Sequence, residues 1–281
     1  MTEAVNYIRQ SLKDMYPAGE IQSFTRQILE CVCGWKPYQF LAFNLRPTES
    51  QMEEIVCMTQ RLRSHEPIQY VTGITSFCGF PFRVNPSTLI PRPETEEIVE
   101  LILHDYYGQS VDILDIGTGS GCIAISLARL LPQSRVTALD ISSTALDTAR
   151  ENAALNRVDV SFIQSDILSP QIDINRSFDV VVSNPPYIKE SERTSMKKNV
   201  LDYEPDLALF VPDDDPFVYY RSIAAFAKEN IKEGGSIYFE INALHGKAIC
   251  EVLLKEGNNS VELLQDLAGK DRIIKVKYEN T

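Results

Sequence analysis

FDVVVSNPPYIK, residues 178–189, is the stretch from which the rest of the chain can be read. Its first half, Phe178 to Ser183, is a short apolar run holding Val180, Val181 and Val182. An apolar run of this length without polar alternation has no solvent face, so a buried strand of a parallel sheet is predicted. Its second half is Asn184-Pro185-Pro186-Tyr187. Proline cannot donate to a central ladder, so the strand must stop at Ser183 or Asn184. In open α/β sheets ligands bind beyond the carboxyl ends of the strands, which is where this tetrapeptide falls.

Asn-Pro-Pro-Tyr is suited to holding a planar NH2 group. The Asn184 side-chain oxygen can accept one N–H of a target and the Pro185 carbonyl the other. Pro185 and Pro186 fix φ and remove donors that would occupy those acceptors. Tyr187 can stack on a flat target. An exocyclic amine of a nucleobase and the side-chain amide of Gln or Asn both fit, and both are poor nucleophiles with delocalised lone pairs. A site for either must supply orientation rather than a strong base. Asn184, Pro185 and Tyr187 are therefore the candidate catalytic residues, and Asn184 to Tyr187 the candidate substrate site.

Working outward, the chain from Val111 alternates strand and helix. Strands are predicted near 111–116, 134–140, 158–164, 178–183 and 235–241, with helices near 121–131, 143–155, 216–232 and 245–256. Two late strands near 260–265 and 272–278 follow, with Gly269 between them. This is a doubly wound sheet closed by an antiparallel hairpin. Asp115-Ile116-Gly117-Thr118-Gly119-Ser120-Gly121 occupies the first strand-to-helix turn. Glycines there let a ligand approach the backbone. Their G-x-G-x-G spacing differs from the dinucleotide pattern G-x-G-x-x-G. Asp140 ends the next strand, where a carboxylate can accept both hydroxyls of a ribose. Asp166 follows the third strand and can accept from an adenine amino group, with Ile167 packing near the ring. A nucleoside whose tail ends in a carboxylate fits this set, namely S-adenosylmethionine. Its candidate contacts are Gly117, Thr118, Gly119, Ser120, Gly121, Asp140, Asp166, Ile167 and Asn184.

Towards the N-terminus, residues 1–66 read as a helical bundle. Val5, Ile8, Leu12 and Met15 recur at helical spacing, as do Ile21, Phe24, Ile28, Leu29 and Val32. A short helix is expected over 38–43. Thr48-Glu49-Ser50-Gln51 is a capping box ahead of Ile55, Met58 and Leu62. Residues 67–88 read as a hairpin linker, with strands near Gln69–Phe77 and Phe80–Val84 turning at Cys78-Gly79. Residues 89–281 form the remaining domain, whose first helix opens with Glu94, Glu96 and Glu97.

The 281 residues carry 27 Lys and Arg against 39 Asp and Glu, a net charge of −12. Such a balance argues against direct nucleic-acid binding, which rewards basic stripes, and favours a protein or small-molecule partner. The six cysteines are scattered without a CxxC, and three histidines give no metal-ligand spacing, so no metal and buried reduced thiols are expected. No apolar leader and no run of roughly 18 apolar residues is present, so a cytoplasmic protein without a membrane segment is expected.

With these motifs assembled, the sequence resembles the class I methyltransferases and, more narrowly, the HemK/PrmC family. The resemblance is carried by Pro67-Ile68-Gln69-Tyr70 with Gly73, Phe77 and Gly79, by Leu89-Ile90-Pro91-Arg92-Pro93-Glu94-Thr95-Glu96, by Asp115 to Gly121, by Asp140-Ile141-Ser142, by Asn184 to Ile188, and by Tyr203-Glu204-Pro205 with Ala208-Leu209. It covers nearly the whole chain, and the IPRPETE stretch is its most specific part. It implies a helical substrate-docking domain, a hairpin linker and a seven-stranded catalytic domain that uses S-adenosylmethionine. It also implies a monomer that methylates the glutamine of the GGQ motif in class I peptide-chain release factors. It places Arg92 and Thr95 near the methionine end of the cofactor. Two departures stand out. Ile167 follows Asp166 where the family often has an aromatic, and Asn242, Ala243 and His245 follow Glu240 where the family tends towards Gly and Gln. Three other readings stay open on the residues alone: a DNA adenine methyltransferase, a non-catalytic S-adenosylmethionine sensor, and a methyltransferase for another protein.

Overall fold

Phe178–Ser183 is a strand, and it lies at the centre of a seven-stranded sheet. The computed structural model describes residues 3–36, 38–39, 45–169, 172, 174, 176–257 and 260–278. In chain order the elements are α1 (Glu3–Leu12), α2 (Ala18–Cys33), α3 (Glu49–Arg63), α4 (Ile68–Thr72), β1 (Ile74–Phe77), β2 (Phe80–Arg83), α5 (Pro93–Tyr106), β3 (Asp112–Ile116), α6 (Cys122–Leu130), β4 (Arg135–Asp140), α7 (Ser143–Asn156), β5 (Ser161–Gln164) and β6 (Phe178–Ser183). Then follow β7 (Ile188–Lys189), a 3-10 turn (Glu190–Ser195), α8 (Lys198–Leu201), α9 (Asp206–Leu209), β8 (Phe210–Val211), α10 (Val218–Asn230), β9 (Ile231–Glu240), α11 (Gly246–Lys255), β10 (Ser260–Gln265) and β11 (Asp271–Lys277).

The sheet order is β10-β11-β9-β6-β3-β4-β5. Neighbours from β9 to β5 pair parallel, and β11 runs antiparallel to both β9 and β10. Successive side chains of a strand face opposite sides, and the two covering layers show it. Ile113, Val136, Val180, Val182 and Tyr238 pack with residues of α5, α6 and α7. Leu114, Leu139, Val181, Ile237 and Phe239 pack with residues of α10 and α11. The central strands are thus covered on both faces, as their unbroken apolar runs require. One boundary moves: β9 begins at Ile231, within the span expected to be the preceding helix.

The chain divides into two units, Met1–Ile74 with Lys197–Tyr203, and Thr75–Met196 with Glu204–Thr281. The first is a helical bundle whose core includes Ile8, Leu12, Phe24, Ile28, Leu29, Ile55 and Leu62. The capping box forms, with the Gln51 N–H donating to Thr48 Oγ1 at 3.2 Å and the Thr48 N–H donating to Gln51 Oε1 at 2.9 Å. The helix expected over 38–43 falls largely outside the described residues. The strand expected over Gln69–Phe77 is corrected: residues 68–72 are helical, and only Ile74–Phe77 is extended. Pro67 precedes the helix, and Arg61 caps its far end by donating to the carbonyls of Tyr70 and Val71 at 3.0 Å each. A tertiary cap of this kind overrides the strand propensity of Tyr70 and Val71.

The expectation of buried thiols is also corrected. Cys122 is buried, but Cys31 and Cys57 are exposed. They fall between the core positions of α2 and α3, on the outward faces of those helices. No helix among the described residues is long and apolar enough to cross a membrane, and none of their acidic, His or Cys side chains cluster as a metal site.

Candidate active site

Four strands of the second unit, β3 to β6, end at one cavity of about 490 Å³. After β3 the chain turns through Gly117, Thr118, Gly119 and Ser120, all of which line it. Gly117 and Gly119 have φ of 73° and 55°, and a Cβ at either would meet nothing within 4 Å. The backbone is therefore bare towards open space, as close approach of a ligand needs. Gly121 differs. Its φ is 81°, and a Cβ there would stand 2.7 Å from Ile125 Cδ1. It serves the packing of α6 and does not line the cavity.

Asp140, at the end of β4, also lines the cavity. Its Oδ2 accepts the Gly119 N–H at 2.8 Å and its Oδ1 the Ser142 N–H at 2.9 Å. The carboxylate thus shapes the glycine turn while one lone pair per oxygen remains. Burial raises its pKa against the pull of those N–H groups. Asp166 and Ile167 line the same space beyond β5, and Asp166 Oδ1 accepts the Leu168 N–H at 2.8 Å. Asn184, Pro185 and Pro186 line it beyond β6. Tyr187 does not. It sits near Glu240, Arg272 and Arg92, and burial pushes its hydroxyl up to about 12.

Arg92 and Thr95 line the cavity from the start of α5. Arg92 donates to Glu204 Oε1 at 2.6 Å, and Glu204 Oε2 accepts the Ile90 N–H at 3.3 Å. Glu204 is 5% exposed, so a buried carboxylate anchors the half-buried Arg92 and the Ile90 N–H together. Asn184 Nδ2 donates to Thr95 Oγ1 at 3.4 Å. Glu240, the last residue of β9, is buried with Oε2 unpartnered, and burial raises its pKa to about 7.

A profile described as the PrmC N-terminal domain matches residues 3–73, and one described as the methyltransferase small domain matches residues 96–202. The release factor glutamine methyltransferase of Flavobacterium psychrophilum is 45% identical over 274 residues, 96% of this chain and 96% of that protein. The one from Bacteroides thetaiotaomicron is 42% identical over 275 residues, 98% of this chain and 99% of its own. The chain belongs to the release factor glutamine methyltransferase family. Its fold is also that of a 16S rRNA N2 G1207 methyltransferase from T. thermophilus, solved with AdoMet and guanosine (TM-score 0.52, 15% identity, 73% of this chain and 50% of that one).

In this family member, sequence reasoning passed over several residues that build the site. Asn152 is fully buried on α7, accepts the Arg83 N–H at 2.6 Å, and donates to the Arg83 and Ser120 carbonyls at 2.9 and 2.8 Å. Asn156 donates to the Pro81 carbonyl at 2.9 Å. Together they tie β2 to the glycine turn. The available signal was two asparagines four apart on an otherwise apolar helix face. Tyr219 of α10 lines the cavity near Asp166 and Ile167, and no local motif marked it.

Proposed function

We propose that this chain transfers a methyl group from S-adenosylmethionine to the side-chain amide nitrogen, N5, of the glutamine in the GGQ motif of class I peptide-chain release factors. The observation that carries this reading is convergence. Asn184, Pro185 and Pro186 share one cavity with the bare Gly117–Ser120 turn, Asp140 and Asp166. The relatives that match over nearly the full chain support the choice of a glutamine amide over a nucleobase amine.

The cavity fits the cofactor. Its volume suits a small ligand, its glycines leave room at the backbone, and carboxylate acceptors stand at two successive strand ends. Gly117 to Ser120 would hold the methionine end, Asp140 the ribose hydroxyls, and Asp166 with Ile167 the base. Bound there, S-adenosylmethionine supplies an electrophilic methyl group on a sulfonium.

The chain's own residues do the rest. Asn184 Oδ1 and the Pro185 carbonyl accept the two N–H groups of the glutamine amide, while Tyr187, outside the cavity, packs behind them. Holding both hydrogens fixes where the nitrogen lone pair points, which is the main barrier for so weak a nucleophile. As the nitrogen gains positive charge, the same two oxygens stabilise it. Its surplus proton is then acidic enough to pass to water without a dedicated base. The N-terminal domain, residues 1–66, docks the release factor, and the enzyme works as a cytoplasmic monomer that binds no nucleic acid directly.

The test is transfer from methyl-labelled S-adenosylmethionine to a release factor carrying GGQ and to a matched one with that Gln replaced by Ala. Label on the first alone is expected. Label on both removes the assigned target, and label on neither removes the activity. Asn184→Ala should lower turnover at saturating cofactor by about 100-fold or more, as for loss of one preorganised polar contact.

A further inference from the structure

The reading above needs Asn184 to present its oxygen, not its NH2, to the substrate. The two orientations of an amide have the same shape, so packing alone does not choose between them. We propose that Thr95 and Glu240 are positioning residues that lock the Asn184 amide with its NH2 turned inward and Oδ1 turned to the cavity. The proposal rests on the function assigned above.

The geometry brings the three groups together from three elements. Ser183 and Phe239 are register partners on β6 and β9, so Asn184 and Glu240 are the next residues on adjacent strand ends. Thr95 lies in the first turn of α5. Thr95 and Glu240 are each 2% exposed, so neither can exchange its partner for bulk water. Asn184 Nδ2 donates to Thr95 Oγ1 at 3.4 Å, and the Thr95 hydroxyl lies beside the Glu240 side chain, whose Oε2 has no other partner among the described residues.

Polarity then runs one way. An ionised carboxylate has no proton and only accepts. The Thr95 hydroxyl has one proton, which must go to Glu240. Its oxygen is left as an acceptor, and only the NH2 of Asn184 can satisfy it. Were the amide reversed, Oδ1 would face a lone pair, and an NH2 would face the NH2 of the substrate. A protonated Glu240 releases the lock, because it can donate to Thr95 and let the Thr95 proton turn towards Oδ1. Among the groups facing Glu240, Arg272 of β11 and Arg92 ahead of α5 favour the ionised form, whereas Glu94 of α5 opposes it. Tyr187 and Tyr220 also approach it, and both are neutral hydroxyls below about pH 10. Burial is the largest influence and lifts Glu240 to about 7, inside the working range. Turnover should therefore rise with pH through that value as the lock engages.

The experiment measures label transfer to the GGQ release factor for the wild type, Thr95→Val, Thr95→Ser and Glu240→Gln, with cofactor affinity read by calorimetry on the same samples. Thr95→Val keeps the shape and removes the hydroxyl. It should lower kcat by about tenfold, the scale of one misdirected hydrogen bond, with KM and cofactor affinity little changed. Thr95→Ser restores the hydroxyl and should recover most of kcat. Glu240→Gln should lower kcat and abolish the rise near neutral pH, because a carboxamide can offer either polarity and does not titrate. Equal loss in Thr95→Val and Thr95→Ser would overturn the lock in favour of simple packing. So would a Glu240→Gln enzyme that keeps both turnover and the pH profile. Absence of transfer by the wild type overturns the function itself, whereas wild-type transfer that Thr95→Val leaves intact overturns only the lock.

Discussion

Asp112 opens β3 at the amino edge of the sheet, and Asp115 stands three residues further on, towards the cavity. Asp112 accepts from Arg135 at 2.7 and 2.9 Å and from Lys232 at 2.7 Å. The Arg135 guanidinium, with Lys232 beside it, holds its carboxyl below the usual range despite burial. Asp115 meets no cation. Its Oδ2 accepts the Thr118 hydroxyl at 2.6 Å and the Ala124 N–H at 3.1 Å, Oδ1 has no partner, and burial pushes the carboxyl up to about 7. Glu240, at the end of β9, is likewise pushed up to about 7 by burial, which outweighs the nearby Arg272 and Arg92. At one edge Asp112 and Asp179 are matched by Arg135 and Lys232, which serves stability. At the other, carboxylates are kept buried and short of counter-charge, which costs stability and leaves their protonation adjustable where the chemistry is placed.

Asp115 stays dry only if the carboxyl edge is rigid, since a soft edge would let water reach it. Gly121→Ala probes this. The substitution puts an L side chain at a φ of 81° and a Cβ 2.7 Å from Ile125 and 3.2 Å from Ala149, in the core beneath the glycine turn. Left-handed strain and overpacking together should cost about 4 kcal/mol at any pH. A drop in melting temperature of only a degree or two would show that this edge yields, and the account of Asp115 would fail with it.

Asp115→Asn comes next in size. Asp115 is raised in the folded state, so the unfolded chain loses its proton first as pH rises from about 4. Stability attributable to this group is intact below that range, falls between about pH 4 and 7, and stays low above. Asparagine removes the dependence. The difference in stability between variant and wild type should therefore shift by about 3 kcal/mol in the variant's favour between about pH 5 and pH 8. Thermal melts at the two pH values measure it, and parallel curves would mean that Asp115 is ionised throughout.

Much of this was legible beforehand, for reasons local to the sequence. The strand Phe178–Ser183 is apolar without alternation, and the prolines after it end it where expected. The residues expected to bind S-adenosylmethionine, apart from Gly121, line one cavity because each sits at the carboxyl end of a parallel strand, and that follows from topology alone. What stayed hidden depends on partners far apart in the chain. Residues 68–72 are helical because Arg61 caps them. Asn152 matters because β2 returns to it. Glu240 is recognisable only once β9 lies beside β6. No window of sequence contains such pairings. The fates of Asp112 and Asp115 are the sharpest case, since the same residue type three places apart reads alike until the cations are placed.

Asp112→Asn carries the smallest expected effect and tests the other half of the contrast. A group whose folded pKa is lowered stabilises above its unfolded pKa and ceases to do so as pH falls through the folded value. The variant should therefore be less stable than the wild type above about pH 4 and indistinguishable from it in stronger acid. Its slope is opposite in sign to that of Asp115. The size is limited because Arg135 is 75% exposed and Lys232 39% exposed, so solvent screens both partners. A deficit of about 1 kcal/mol is expected, smaller in high salt. Label transfer per folded molecule should match the wild type, because Asp112 begins the strand whose other end meets the cavity. A stability gap that persisted in acid, or a fall in turnover beyond the loss of folded protein, would mean that the two edges are not separable and that charge at the amino edge reaches the site through the sheet.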